Sequence, residues 1–304
     1  METVTVPGQD GICLDGARYR REKGGVRLEQ APDLEEIRIP ELVCGEPVRW
    51  AAAYAFARTA AVRVCLPGSM EQIGNYAFYR CFQLRELVFS DALTDVGSGA
   101  FNGCRLERLE IRFRDGMRSA LKFILDEQRY ALDVRLVFHG EGDAGEARVF
   151  FPEHFEEAVE NTPARILETH YHGSGGDYRQ CFYNRELDFA AYDRLFPRAV
   201  AEESEADAAW LAALRLGWPC RLSAGAKEQY ETYVREHISC AGRVCVQREE
   251  TGLLRLFGRA GYWDKSGLEE TVDAAAREKK TEILGLLLDE RRRLFPGQKK
   301  VFEL

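Results

Sequence analysis

"IGNYAFYRC", residues 73–81, holds the dipeptide that organises this chain, because Ala-Phe recurs at 55–56, 77–78 and 100–101, in steps of 22 and 23 residues. The segments around it, "AYAFARTAAVRVCLPGSMEQI", "NYAFYRCFQLRELVFSDALTDV" and "SGAFNGCRLERLEIRFRDGM", share one order of parts. A small residue and an aromatic come first, then a Cys or small residue (Cys81, Cys104), then Leu84 or Leu106 leading into a short β-rich run. The runs Val62–Leu66, Glu86–Phe89 and Arg108–Ile111 alternate large apolar with charged side chains, which predicts strands with one buried face. "EIRIP" at 36–40 supplies a fourth strand upstream. A turn of chain this short cannot bury its apolar face alone and must stack on a similar turn. The expected ladder has Phe56, Phe78 and Phe101 inside the coil, with Ala55, Ala77 and Ala100 letting the return segment approach closely. Gly74, Gly97 and Gly103 fall where turns disfavour a Cβ.

"LPGSMEQIGNYAFYRCFQLRELVF" resembles the BspA-like class of leucine-rich repeats, a bacterial type whose unit reads Pro, spacer, Ile-Gly, x, x-Ala-Phe, x, x-Cys, x, x-Leu, x, x-Ile. The resemblance covers residues 37 to 113 and is specific in the middle unit. It departs from the pattern at both ends, where Trp50-Ala51 replaces the Ile-Gly pair and "GCRL" is one residue shorter than "RCFQL". "IRIPELVCGEPVRWAAAYAF" resembles the opening cap of such arrays. The resemblance implies a short right-handed solenoid with a parallel strand ladder, and a surface used to recognise other macromolecules.

Beyond the repeats, "MRSALKFILDEQRYALD" predicts an amphipathic helix with Leu121, Ile124, Leu125 and Leu132 on one face, sealing the open end of the solenoid. "VRLVFHGEGDAGEARVFF" reads as a hairpin. From Pro152 the chain is expected to be mostly helical, with helices at 153–160, 186–195, 204–216 and 223–238 and breaks at Pro163, Pro197 and Pro219. "TGLLRLFGRAG" at 251–261 and "TEILGLLLDER" at 281–291 align at a 30-residue step as outer helices of two pairs. Ser266 and Glu269 form a capping-box pattern at the start of the inner helix between them. "LEETVDAAAREKKTEILGLLLDE" resembles degenerate ankyrin-type hairpins, without their β-turn signature.

The 304 residues carry a formal charge of -8, which argues against a general nucleic-acid or anionic-membrane surface. The first residues lack a basic and an apolar leader region, and no apolar run reaches the length needed to span a bilayer, so a cytoplasmic protein is expected. Nine cysteines without a CxxC pair fit reduced, mostly buried thiols.

One segment combines residue types that carry chemistry: "NTPARILETHYHGSGGDYRQCFYN", 161–184, with His170, His172, Asp177, Arg179 and Cys181 around a Gly-rich turn. His170 and His172 at i and i+2 on a strand share a side and could hold a metal with Asp177 or His154. The turn and Arg179 could instead hold a phosphate or carboxylate. Cys181 with either His is the candidate nucleophile. Against each stands a structural loop with a buried Arg clamp and a core Cys, and that reading is preferred. The P-loop, dinucleotide and nucleophile-elbow patterns are absent. Phe189, Tyr192 and Phe196 have the helical spacing of core residues. On the solenoid, Arg63, Arg85, Glu86, Glu107, Arg108 and Arg112 make a mixed-charge face, the best candidate binding surface.

The sequence therefore predicts an α+β chain: a leucine-rich-repeat β-solenoid with its N-terminal cap at 1–116, a mixed, mainly helical region at 117–225, and ankyrin-like helical hairpins at 226–304. The expected role is a non-enzymatic protein-protein interaction module or scaffold, with no cofactor and no metal. Its partner is expected to be another protein rather than nucleic acid or membrane, with self-association through a solenoid edge left open. The alternative is a small-ligand, anion or metal-binding domain, enzymatic or not, centred on the 161–184 loop.

Overall fold

The computed structural model describes residues 4–5, 11–114, 116–139, 145–161 and 166–296. The chain forms two compact units, one up to Leu195 and one from Phe196, where the sequence suggests three regions.

The first unit opens with β1 (Val4–Thr5), β2 (Gly11–Leu14), β3 (Ala17–Glu22) and β4 (Gly25–Gln30), an antiparallel meander. The chain then alternates between two sheets through β5 (Glu36–Arg38), β6 (Leu42–Val43), β7 (Glu46–Ala51), β8 (Arg63–Cys65), β9 (Gln72–Ile73), β10 (Glu86–Ser90), β11 (Asp95–Val96) and β12 (Arg108–Phe113). One sheet continues the meander with β4, β7, β9 and β11 in parallel. The other stacks β5, β8, β10 and β12 in parallel, with side chains alternating between a buried and an open face. The register pairs Ala51 with Ile73, so Ala51-Ala52, one residue later than the sequence suggests, stands at the Ile-Gly position.

Return segments complete each turn. Phe56, Phe78 and Phe101 are buried and stacked, with ring centroids 4.4 and 5.1 Å apart. Gly97 is required by close packing, since a Cβ there would come 2.3 Å from the Asn75 amide nitrogen. The backbone joins successive turns: Phe56 N donates to Ala77 O at 2.9 Å and Phe78 N to Ala100 O at 2.8 Å. The Cys81 and Cys104 thiols donate to the Phe56 and Phe78 carbonyls of the preceding turn, at 3.0 and 3.1 Å.

After Phe101 the return segment gives way to α1 (Leu121–Glu127), which buries Leu121, Ile124 and Leu125. It is shorter than the sequence predicts, because Leu132 opens β13 (Leu132–Phe138), a fifth parallel strand alongside β12. Strand β14 (Gly145–Phe151) pairs antiparallel with β13 and ends the sheet. The Glu127 carboxylate does what the fifth turn's return carbonyls would do: it accepts from Gly99 N at 2.6 Å and from Phe101 N at 2.9 Å.

Residues 153–160, predicted helical, lie instead mostly in β15 (Phe155–Asn161), antiparallel to β16 (Ile166–His172). Pairing with a neighbour outweighs local helix preference there. Pro163 lies outside the described residues. The unit ends with α2 (Gly175–Tyr178), the paired β17 (Phe182–Tyr183) and β18 (Glu186–Leu187), and α3 (Phe189–Arg194), which Asp188 caps by accepting from Ala191 N. The predicted helix at 186–195 is thus shortened to Phe189–Arg194.

The second unit is helical throughout its described residues: α4 (Phe196–Glu202), α5 (Glu205–Gly217), α6 (Ala224–Glu236), α7 (Ile238–Gln247), α8 (Thr251–Arg259), α9 (Lys265–Arg277) and α10 (Thr281–Leu294). Pro197 sits in the first turn of α4, where its missing N–H costs nothing. Ser204 and Ser223 cap α5 and α6. Helix α9 is capped by Asp264, which accepts from Gly267 N, and Ser266 lies inside the helix rather than at its cap. The 30-residue step recurs in backbone detail, with Glu249 and Lys279 both at φ 58° before α8 and α10. Helices α7 and α9 pack closely, since a Cβ on Gly242 would meet Thr271 Oγ1 at 2.2 Å. These are stacked helical hairpins; nothing in them is specific to ankyrin repeats.

Candidate functional site

Parallel, in-register pairing sets equivalent positions of neighbouring strands side by side. One row on the open face reads Glu36, Arg63, Glu86, Arg108, Asp133 across β5, β8, β10, β12 and β13. The sign of the charge alternates at every step. Like charges directly opposite would repel, so alternation turns the crowding of a stacked ladder into attraction. Arg63 Nε lies 3.3 Å from Glu86 Oε2, and Arg108 pairs with the other Glu86 oxygen. A second row, Arg38, Cys65, Val88, Glu110, Arg135 and Arg148, runs two residues further along. In it Glu110 receives Arg112 at 2.8 Å and Arg135 at 3.1 Å, and Arg135 also reaches Glu146 at 2.8 Å. The bond to Glu146 pushes the Arg135 guanidinium further up, so its charge is fixed.

A cavity of about 170 Å³ opens between the rows, bordered by Arg63, Glu86, Arg108, Glu110, Arg135 and Arg148. Of the six residues the sequence singles out, Arg63, Glu86 and Arg108 share one row, and Arg112 stands four residues beyond Arg108 on β12. Arg85 and Glu107 lie one residue before β10 and β12 and pair with each other at 3.1 Å.

The 161–184 segment is organised differently. His172 stacks on Phe155 with ring centroids 4.4 Å apart, and its Nε2 lies 3.2 Å from Glu157 Oε2. The backbone of His170 pairs with Glu157, and its side chain lies outside the described residues. The Gly-rich turn serves a close approach, since a Cβ on Gly175 would stand 2.1 Å from the Pro152 carbonyl oxygen. Arg179 is 2 % exposed, and its guanidinium donates to four carbonyls: Gln128 at 2.8 Å, Pro152 at 2.6 Å, Gly175 at 2.9 Å and Tyr130 at 2.7 Å. That ties the turn to the end of α1 and satisfies a buried charge. Cys181 donates weakly to Asp177 O at 3.6 Å. Burial, then Asp188 and Asp177, push its thiol up to about 12, so it holds its proton at neutral pH. Among the described residues no group of three or more His, Cys, Asp and Glu side chains could hold a metal ion. No described helix is long and apolar enough to cross a membrane.

The family described as "BspA type Leucine rich repeat region (6 copies)" matches residues 33–120. Residues 33–120 are a BspA-type leucine-rich-repeat region. Among solved structures, the chain is similar to a leucine-rich repeat protein from Bacteroides capillosus, at 22% identity and TM-score 0.31, over 34% of this chain and 83% of that one. It is also similar to a leucine rich cell surface protein from Faecalibacterium prausnitzii, at 18% identity and TM-score 0.29, over 34% of this chain and 32% of the other. A leucine-rich repeat protein from T. pallidum gives 16% identity and TM-score 0.24, over 36% and 75%. No curated protein matches the chain.

The leucine-rich-repeat region carries one feature that sequence reasoning misses. Where α1 replaces the return segment, a groove of about 800 Å³ opens beside the last turn, bordered by Phe82, Gly103, Arg105, Glu127, Arg129 and Tyr130 among others. Two signals point to it: the end of the Ala-Phe series after Phe101 and the missing residue in "GCRL".

Proposed function

We propose that this chain is a cytoplasmic, non-enzymatic interaction module that presents the strand face of its leucine-rich-repeat region to another protein. The observation that carries the reading is the alternating row Glu36, Arg63, Glu86, Arg108, Asp133. It is a rigid, stacked array of both charge signs, suited to a complementary pattern on a partner and nearly neutral in sum. Such a surface selects by register more than by net attraction. No disulfide joins the nine cysteines, exposed Cys44 included, which supports a reducing compartment. The carbonyl-bound Arg179 and the protonated Cys181 support a structural part for the 161–184 segment.

A photo-crosslinking amino acid placed at Arg112 or Arg38, in the full chain expressed in its native cell, tests the reading. One partner protein captured from both positions, and not from Lys227 on α6, is the expected outcome. Turnover of a substrate by the purified chain, lost in His170→Ala or Cys181→Ala, would overturn the non-enzymatic assignment.

A further inference from the structure

The arginines of the two faces of the solenoid differ in their company. On the strand face Arg38, Arg63, Arg108, Arg112 and Arg135 each meet a carboxylate. On the return face Arg58, Arg80, Arg105 and Arg129 are exposed and form no ion pair among the described residues. Arg58 and Arg80 are equivalent, each two residues after its ladder Phe and each in the left-handed region, at φ 63° and 59°. Their amides link successive rungs, Arg58 N to Tyr79 O and Arg80 N to Asn102 O, both at 2.9 Å. Two arginines therefore hold equivalent positions a rung apart, with no carboxylate paired to either among the described residues.

The third member of that series is Gly103, at φ 85°, and a Cβ there would come 3.3 Å from Arg80 Cα. Its amide is the next donor in line. Glu127 takes the amides of Gly99 and Phe101, and the Gly103 amide has no acceptor among the described residues. It opens on the groove of about 800 Å³. Arg105 and Arg129 stand there over Tyr130, their guanidinium carbons 4.9 and 5.4 Å from the ring centroid. Arg129 is held to Tyr130 and feels Glu153, without forming an ion pair. Phe82, 64 % exposed, borders the same groove. The acidic groups of the lining are engaged elsewhere: Asp126 pairs with Lys122, and Glu127 accepts the two amides.

We propose that this groove docks an extended acidic segment of a partner protein. The segment supplies the rung that the fold leaves out: its backbone carbonyl accepts from Gly103 N, and its Asp or Glu carboxylates pair with Arg105 and Arg129. Guanidinium–carboxylate pairs bind in fork geometry, and a backbone ladder aligns the segment along the groove. A peptide fits better than a nucleic acid, because a chain of net charge -8 repels a strand that carries a phosphate at every residue more than a segment with a few carboxylates. The site is separate from the strand face, so this proposal and the proposed function fail separately.

The test is fluorescence anisotropy of the full chain with a short fluorescein-labelled peptide of alternating Glu and Val. Saturable binding is expected, weakened about tenfold or more in Arg105→Gln/Arg129→Gln and on raising salt from about 50 to about 200 mM. Arg112→Gln on the strand face should bind like the parent chain, and the Gln-for-Glu peptide should not bind. Circular dichroism confirms the fold of the double variant, and the single change Arg129→Gln provides a milder second variant. Absence of saturable binding, equal binding of the Gln peptide, or unchanged affinity in the folded variants would overturn the proposal. So would displacement of the peptide by a single-stranded oligonucleotide of equal charge, which would assign the groove to nucleic acid.

Discussion

Glu127 ends the return ladder with one carboxylate that accepts two backbone amides, from Gly99 and Phe101. Removing it leaves both donors without their partner, so Glu127→Ala is expected to cost about 1–3 kcal/mol. Glu127→Gln, with one carbonyl oxygen instead of two, should fall between the parent and the alanine variant. Denaturant midpoints of the three chains check the order. Phe78 sits at the centre of the aromatic stack, covered by Phe56 on one side and Phe101 on the other. Phe78→Ala should therefore cost about 3–5 kcal/mol, measured the same way. The difference in legibility between these residues is physical. Phe78 belongs to a period and is visible in the sequence as part of it. Glu127 acts because the period has ended, and a cap that occurs once in a chain leaves no repeating signal.

At the scale of elements, alternation within each strand shows which side chains face outward, but not which lie next to each other across strands. The row of alternating signs follows only once Glu86 is paired with Arg63 on one side and Arg108 on the other. Arg108→Glu would put an acid between Glu86 and Asp133, making three like charges in succession where the signs now alternate. The expected loss is about 1–2 kcal/mol at low salt, from two attractions replaced by two repulsions. It should shrink as added salt screens the exposed pairs, and melting at low and high ionic strength measures both terms. A loss independent of salt would attribute the effect to packing instead. The β13–β14 hairpin is legible as two strands around a turn, but the parallel pairing of β13 with β12 and the β15–β16 hairpin escape a sequence reading for a related reason: those partners are set by tertiary pairing, while residues 153–160 carry helix-favouring Glu and Ala. In the helical unit the 30-residue step is readable because α8 and α10 begin at equivalent residues, Thr251 and Thr281.

Across the whole molecule, both units bury groups that hold protons past their ordinary values. In the first, burial pushes Cys181 from 9.0 up to about 12, and burial with the nearby Asp15 charge pushes Tyr19 from 10.0 up to about 12. In the second, burial and Glu205 raise Tyr233 to about 12, and burial with the hydrogen bond to Glu231 raises Tyr262 to about 12. Between pH 9 and 12 the unfolded chain releases protons that the folded chain keeps, so the unfolded state binds fewer protons and stability falls as pH rises. The stabilisation is fully present below pH 9, where both states are protonated at these groups. Each unit should therefore lose denaturant resistance on going from about pH 8 to about pH 11, since each also holds a buried thiol raised by burial, Cys181 in the first and Cys240 in the second. Circular dichroism separates the two, since the loss of strand signal follows the first unit and the loss of helix signal follows the second. A strand transition that stays level from pH 8 to 11 would mean that Cys181 and Tyr19 are not held in their neutral forms. It would also withdraw the support that a protonated Cys181 lends to a structural role for the 161–184 segment.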